Sequence, residues 1–237
     1  MAFIRSNYHS NESYRDQWVK DRIQKYTNLL PKRTVLDVGA GLSPFKQSFQ
    51  ALGFEYFSQD FEMYRPSEIE SPGLQNLDWD FPKHDFVCDV LDIPETIKYD
   101  FVICTEVFEH IPDPVATLKK LSRLTNTDGY ILITVPFLSL MHQSPYWFSS
   151  GLSPFWFEYW AHKLNLEISE LEVSGDYIDL MEQEIARLLA FKRPIRGVTR
   201  ISKLVKFFRK FLPLEVLESG GFGTLCVLRQ KETLAKN

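Results

Sequence analysis

No stretch of this 237-residue chain is apolar for long enough to cross a bilayer. The longest near-apolar run, YILITVPFLSLM from Tyr130 to Met141, falls well short of the roughly 18 residues that a spanning helix needs. The N-terminal MAFIRSNYHS lacks the apolar centre of a secretory leader, so a cytoplasmic location without a membrane span is expected. Paired cysteines are missing too. Cys88, Cys104 and Cys226 lie far apart, each in an apolar run. That spacing argues against a zinc site or a redox pair and predicts buried strand cysteines, and no metal is expected. With 27 Lys and Arg against 31 Asp and Glu, and a formal charge of -4, there is no overall basic excess, and no nucleic-acid partner is expected. What the chain does have is 44% hydrophobic residues, enough for one sizeable core, so residues 1–237 are expected to form a single domain.

Runs rich in Val, Ile and Phe alternate with segments of helical period, the pattern of a mainly parallel sheet covered on both faces. Strands are predicted at Thr34 to Val38, Glu55 to Gln59, Phe86 to Cys88, Phe101 to Cys104, Tyr130 to Val135, Leu166 to Val173 and Phe222 to Leu228. The fold class is therefore a doubly wound, seven-stranded α/β sheet. It has a helical cap over residues 1–33 and a helical insertion over residues 176–221, before the last strand. Three pairs, Ser43-Pro44, Asp113-Pro114 and Ser153-Pro154, read as a capping residue followed by proline at the first helical position. Phe61 to Asp85 has no clean period and reads as a long irregular connection.

The first strand runs into a glycine turn in VLDVGAGLSPF, Val35 to Phe45. A dinucleotide fingerprint would need a third glycine where Pro44 stands, and a phosphate-binding loop would need Gly-Lys-Ser/Thr. Neither is present. Instead an acid stands at the C-terminal end of each of the first four strands: Asp37, Asp60, Asp89 and Glu106. In an open α/β sheet these ends border the ligand crevice. Four carboxylates there would repel a pyrophosphate and suit a ligand that carries cationic groups and hydroxyls.

From Thr34 to Phe137 the chain resembles the class I S-adenosylmethionine-dependent methyltransferases, and among them the broad type 11 group. DVGAG is similar to the family's first motif, which implies that Asp37, Gly39 and Gly41 hold the methionine end of the cofactor. The resemblance implies that Asp60 bonds the ribose hydroxyls with Phe61 beside the adenine. CDVLDIP would place Asp89 at the adenine amine and Val90 on its ring, and YDFVICTEVFEHIPDP would place Glu106 under the cofactor with His110 just beyond. Two departures are Ser43, where the family often has a third small glycine, and RLTNTDG before the fifth strand.

Thr105-Glu106-Val107-Phe108 stands where amino-group methylating enzymes carry Asn-Pro-Pro-Tyr or Asp-Pro-Pro-Tyr, and where the cytosine C5 enzymes carry Pro-Cys. The expected acceptor is therefore a small molecule or glycan-type compound, methylated at oxygen. His142 and Tyr146, in the aromatic stretch after the fifth strand, are the candidate catalytic residues, with His142 as general base. Type 11 relatives of sugar pathways often carry an arginine near the position of Ser149. A nicotinamide-dependent oxidoreductase and a non-catalytic cofactor-binding relative remain the alternatives. From Ile185 to Leu214 there is no acid, and Arg187, Lys192, Arg193, Arg196, Arg200, Lys203, Lys206, Arg209 and Lys210 cluster there. Ile201, Leu204, Val205, Phe208, Phe211 and Leu212 fall at helical spacing. Residues 198–212 therefore read either as a lid helix over the acceptor site or as a peripheral contact with an anionic membrane.

Overall fold

The computed structural model describes residues 4–6, 12–31, 33–68, 79–190 and 198–231. Eight strands form one mixed sheet: β1 (Ile4–Ser6), β2 (Thr34–Val38), β3 (Glu55–Asp60), β4 (Phe86–Val87), β5 (Tyr99–Thr105), β6 (Thr125–Pro136), β7 (Leu166–Ser174) and β8 (Gly223–Gln230), in the order β1-β7-β8-β6-β5-β2-β3-β4. β8 is antiparallel to β6 and β7, and the other pairs are parallel. Seven strands coincide with those predicted, and β1 adds an eighth at the edge, beside β7. β5 is buried from Tyr99 to Cys104 because helices cover both faces of a central parallel strand.

On one face lie α1 (Glu12–Thr27) and α2 (Lys46–Ala51), with Trp18, Val19, Ile23, Phe45 and Phe49 buried against Val35, Phe101 and Ile103. On the other lie α3 (Pro114–Leu124) and α4 (Pro154–Lys163), with Leu118, Leu121 and Phe157 packed on Leu36, Val102 and Ile131. α1 is also held by charge. Arg22 bonds Glu170 at 2.9 Å and Glu172 at 2.6 Å, Lys25 and Tyr26 reach Glu170, and the Trp18 indole donates to Glu172. α1 is thus clamped to two carboxylates of β7.

Two helix starts follow the capping pattern and one does not. Asp113 accepts from the Ala116 amide with Pro114 at the first position, and Ser153-Pro154 opens α4 without a side-chain cap bond. Ser43-Pro44 does not open α2. Ser43 takes a left-handed backbone, φ 55°, so the helix begins at Lys46 with Phe45 at its N-cap. The Cys104 and Cys226 thiols are buried, and burial raises both pKa values. Cys88 is half-buried just past β4, where the expectation of a buried strand cysteine is corrected.

The insertion carries α5 (Tyr177–Ala190), α6 (Val198–Phe208) and α7 (Leu214–Glu218). Arg209 pairs with Asp176 and Asp179, and Lys206 lies 3.2 Å from Glu182, which ties the basic segment back to α5. Lys192, Arg193 and Arg196 lie outside the described residues, as do the side chains of Arg187 and Arg200. No helix among the described residues is long and apolar enough to cross a membrane.

Candidate active site

The chain winds from β2 outward through β3 to β4, and from β5 to β6 in the opposite direction, so the switch point of the sheet lies between β2 and β5. A cavity of about 270 Å³ opens at the carboxyl ends of these strands, the position where doubly wound sheets bind ligands. Val38 and Gly39, Asp60 and Phe61, Asp89 and Val90, and Glu106 and Val107 line it, each pair supplied by a different strand end. Tyr64, Trp79 and Phe81 line it too, as do His110, Gln143 and Tyr146.

The glycine turn is conformationally demanding. Gly39 has φ 65°, and a Cβ there would come within 2.4 Å of the Val107 side chain. Gly41 has φ 52° and lies under the Trp79 ring, where a Cβ would meet the indole at 2.8 Å. Glycine alone enters this region without strain. The Gly41 amide donates to Asp60 Oδ2 and the Glu62 amide to Asp60 Oδ1, both at 2.9 Å. A carboxylate offers about four lone-pair sites, so Asp60 is held rigidly and keeps acceptor capacity toward the cavity. Asp89 caps the turn that follows it by accepting from Leu91 at 2.8 Å. Glu106, with φ 54°, lies 3.4 Å from the Arg15 guanidinium.

Of the residues nominated by the sequence, Gly39, Asp60, Phe61, Asp89, Val90, Glu106 and Tyr146 line the cavity. Asp37, Gly41 and His142 are not wall residues. Asp37 is buried beneath the turn, where Tyr56 donates to it at 2.6 Å. Burial, opposed by that bond and reinforced by Asp60, pushes the Asp37 carboxyl up to about 7. Tyr64, Trp79 and Phe81 were missed, because they belong to the connection read as irregular. For Tyr64, an aromatic four residues after a strand that ends in an acid was the available signal; Trp79 and Phe81 carried none.

Next to the cavity, the 3₁₀ turn Phe108–His110 places Glu109 and His110 side by side. The backbone carbonyl of Glu109 accepts the amides of Phe148 at 2.8 Å and Ser149 at 3.2 Å. His110 Nδ1 bonds the carbonyl of Tyr146, and His142 Nδ1 that of Leu140 at 2.9 Å. The two imidazoles meet edge to face with centroids 4.8 Å apart, and Tyr146 meets Phe61 in the same manner at 4.9 Å. Burial lowers the His110 pKa to about 4, helped by His142 and opposed by the bond to Tyr146, so the ring is neutral near pH 7. Burial, reinforced by Glu106, raises the Glu109 carboxyl well above its usual range. Among the described residues, Glu109, His110 and His142 form the group with metal-ligand atoms in mutual reach, all within 4.8 Å of one another.

Acids at successive strand ends, a glycine turn and an apolar wall for a ring fit the diol, the amine and the adenine of S-adenosylmethionine. Fold and site together are those of a class I methyltransferase. A family model described as "Methyltransferase domain" matches residues 11–189, and the chain belongs to that family, whose methyl donor is S-adenosylmethionine. Over 142 residues it is 25% identical to a ubiquinone biosynthesis O-methyltransferase of Leptothrix cholodnii, covering 58% of this chain and 54% of that protein. A protein of the same name from Xanthomonas oryzae pv. oryzae is 30% identical over 113 residues, covering 47% of this chain and 44% of its own length. The alignments thus span about half the length of these curated relatives. A SAM-dependent methyltransferase from Archaeoglobus fulgidus shares the fold with a TM-score of 0.53 at 16% identity, covering 90% of this chain and 93% of that one.

Proposed function

We propose that the chain transfers a methyl group to a hydroxyl oxygen of a small-molecule or glycan-type acceptor that enters the cavity beside Tyr146. The observation that carries this reading is the pair of imidazoles next to the cavity end, each with Nδ1 engaged by a backbone carbonyl. An imidazole whose Nδ1–H donates keeps its lone pair on Nε2. His142 is the residue to take the proton from the acceptor hydroxyl. Tyr146, held edge to face against Phe61, is the wall against which the acceptor is aligned. Asp60, Asp89 and Glu106 hold the donor by its hydroxyls and amino groups. S-adenosylmethionine, when bound, supplies a methyl on a sulfonium, and its transfer is an in-line displacement that needs alignment above all. The names of the two curated relatives support oxygen as the acceptor atom.

Incubation with donor labelled in the methyl group and a lysate of the source cells tests the reading. Label in a small-metabolite, lipid or glycan fraction, as a methyl group resistant to mild alkali, is expected. Label confined to protein or nucleic acid would overturn it.

A membrane-borne acceptor is favoured by the insertion. Among the described residues, no wall residue of the cavity comes from α5, α6 or α7. Ile201, Leu204, Phe207, Phe208, Phe211 and Leu214 are exposed in a row, with Phe211 at 66%, alongside exposed Lys203, Lys206 and Lys210. Apolar side chains flanked by cations match an anionic bilayer surface.

A further inference from the structure

The structure assigns a divalent-cation site to Glu109, His110 and His142, beside the acceptor end of the cavity. Glu109 is 1% exposed, and neither of its carboxylate oxygens has a hydrogen-bond partner. The closest basic group is His110 Nε2, 3.7 Å from Oε1 and beyond hydrogen-bond reach. A buried carboxylate without a close partner is costly in either protonation state: ionised, it has only the Arg15 charge, shared with Glu106, to offset it, and protonated, its O–H lacks an acceptor. A cation removes both deficits at once. Glu106 adds a second negative charge to the field around Glu109, and its partner Arg15 offsets part of it.

Both histidines are arranged as ligands. A metal-bound imidazole characteristically donates its other N–H to a backbone carbonyl or carboxylate, which fixes tautomer and ring orientation. His110 Nδ1 meets the carbonyl of Tyr146, and His142 Nδ1 meets that of Leu140. The framework around them is stapled. The amides of Phe148 and Ser149 bond the Glu109 carbonyl, and the Tyr146 amide bonds the carbonyl of Gln143 at 3.0 Å. One carboxylate and two imidazoles suit Mn²⁺, Fe²⁺, Co²⁺ or Zn²⁺ above Mg²⁺ or Ca²⁺, which prefer oxygen alone. Three protein ligands leave positions open, and His110 and Tyr146 place them next to the cavity. An acceptor hydroxyl occupying one of them becomes more acidic and gives its proton to solvent. That use of the cation rests on the hydroxyl-acceptor reading, whereas the binding itself does not. With a cation present, His142 serves as ligand and the cation replaces it in activating the hydroxyl.

Binding is read directly by titrating Mn²⁺ into the full chain, after dialysis against chelator and without donor or acceptor, with the free ion followed by electron paramagnetic resonance. One saturable site per chain is expected. Glu109→Gln and His142→Asn should each weaken it by at least about tenfold, and His162→Asn, an exposed histidine on α4, should leave it unchanged. Thermal unfolding of each variant establishes that it is folded, and His142, in a loop, provides the test if Glu109→Gln does not fold. No saturable binding, or a site equally strong in both ligand variants, would overturn the assignment. A parallel titration with S-adenosylmethionine in chelator separates the two readings. Donor binding without Mn²⁺ binding defeats the cation site alone, and Mn²⁺ binding without donor binding defeats the methyltransferase reading alone.

Discussion

The phenol of Tyr56 donates to Asp37 Oδ2 at 2.6 Å beneath the glycine turn, in a place with almost no solvent access. The pair props up the turn from inside and leaves Asp37 with a carboxyl pushed to about 7, chiefly by burial. An unfolded aspartate titrates near 3.9. The folded state therefore holds the proton more tightly, and the associated stability is complete below about pH 4, falls between pH 4 and 7, and is gone above. Asp37→Asn removes this titration while keeping an oxygen for Tyr56. Relative to the parent, the variant should gain a few kcal/mol between pH 4 and pH 7.5 and then level off. Urea unfolding across that range measures it. Parallel pH curves for the two proteins would contradict the placement of Asp37.

Arg22 bridges Glu170 and Glu172, which are both 7% exposed at the side chain. Arg22→Ala leaves two buried carboxylates short of a partner, and stability should fall by about 3 kcal/mol. Lys25→Ala, whose side chain is 57% exposed, should cost well under 1 kcal/mol. Chemical denaturation of both variants checks the contrast. Equal losses would mean that α1 is held by its apolar face alone.

Sedimentation with vesicles tests the insertion. Binding should rise with anionic lipid content and fall with salt. It should weaken when Lys203, Lys206 and Lys210 become glutamine, each lysine contributing about 1 kcal/mol. Substituting Phe207 and Phe211 by serine should weaken binding to neutral and anionic vesicles alike. Negligible binding of the parent to both would remove the membrane-borne acceptor.

His142→Ala should lower turnover by roughly 10² to 10⁴ while donor affinity stays level. A fall in donor affinity instead would place His142 at the opposite half of the cavity.

Most of the sheet was legible because its central strands are buried on both faces and read as apolar runs; Phe101–Cys104 is the clearest. β1 was not legible, since three residues at a sheet edge carry no periodicity of their own. Ser43-Pro44 misled because a serine before a proline looks the same whether it caps a helix or turns left-handed, and its φ depends on the loop above it. The strand-end acids could be found by counting strands. That Asp37 faces inward to Tyr56 and Asp60 faces the cavity could not, since Tyr56 meets Asp37 only through the pairing of β2 with β3. Glu109 illustrates the same limit. Its neighbour His110 attracted notice in the motif, but His142 comes from beyond β6, and the isolation of the carboxylate exists only in three dimensions.

The central claim is that the strand-end acids hold S-adenosylmethionine, with Asp60 on the ribose diol. Calorimetric titration of the parent and of Asp60→Ala with S-adenosylmethionine, its demethylated product and NAD tests it most directly. The account predicts one site for the first two ligands and none for NAD. It also predicts a loss of about 1 to 3 kcal/mol in Asp60→Ala without a matching loss of stability. Absence of binding by either sulfur ligand at millimolar concentration, or saturable binding of NAD in its place, would contradict it.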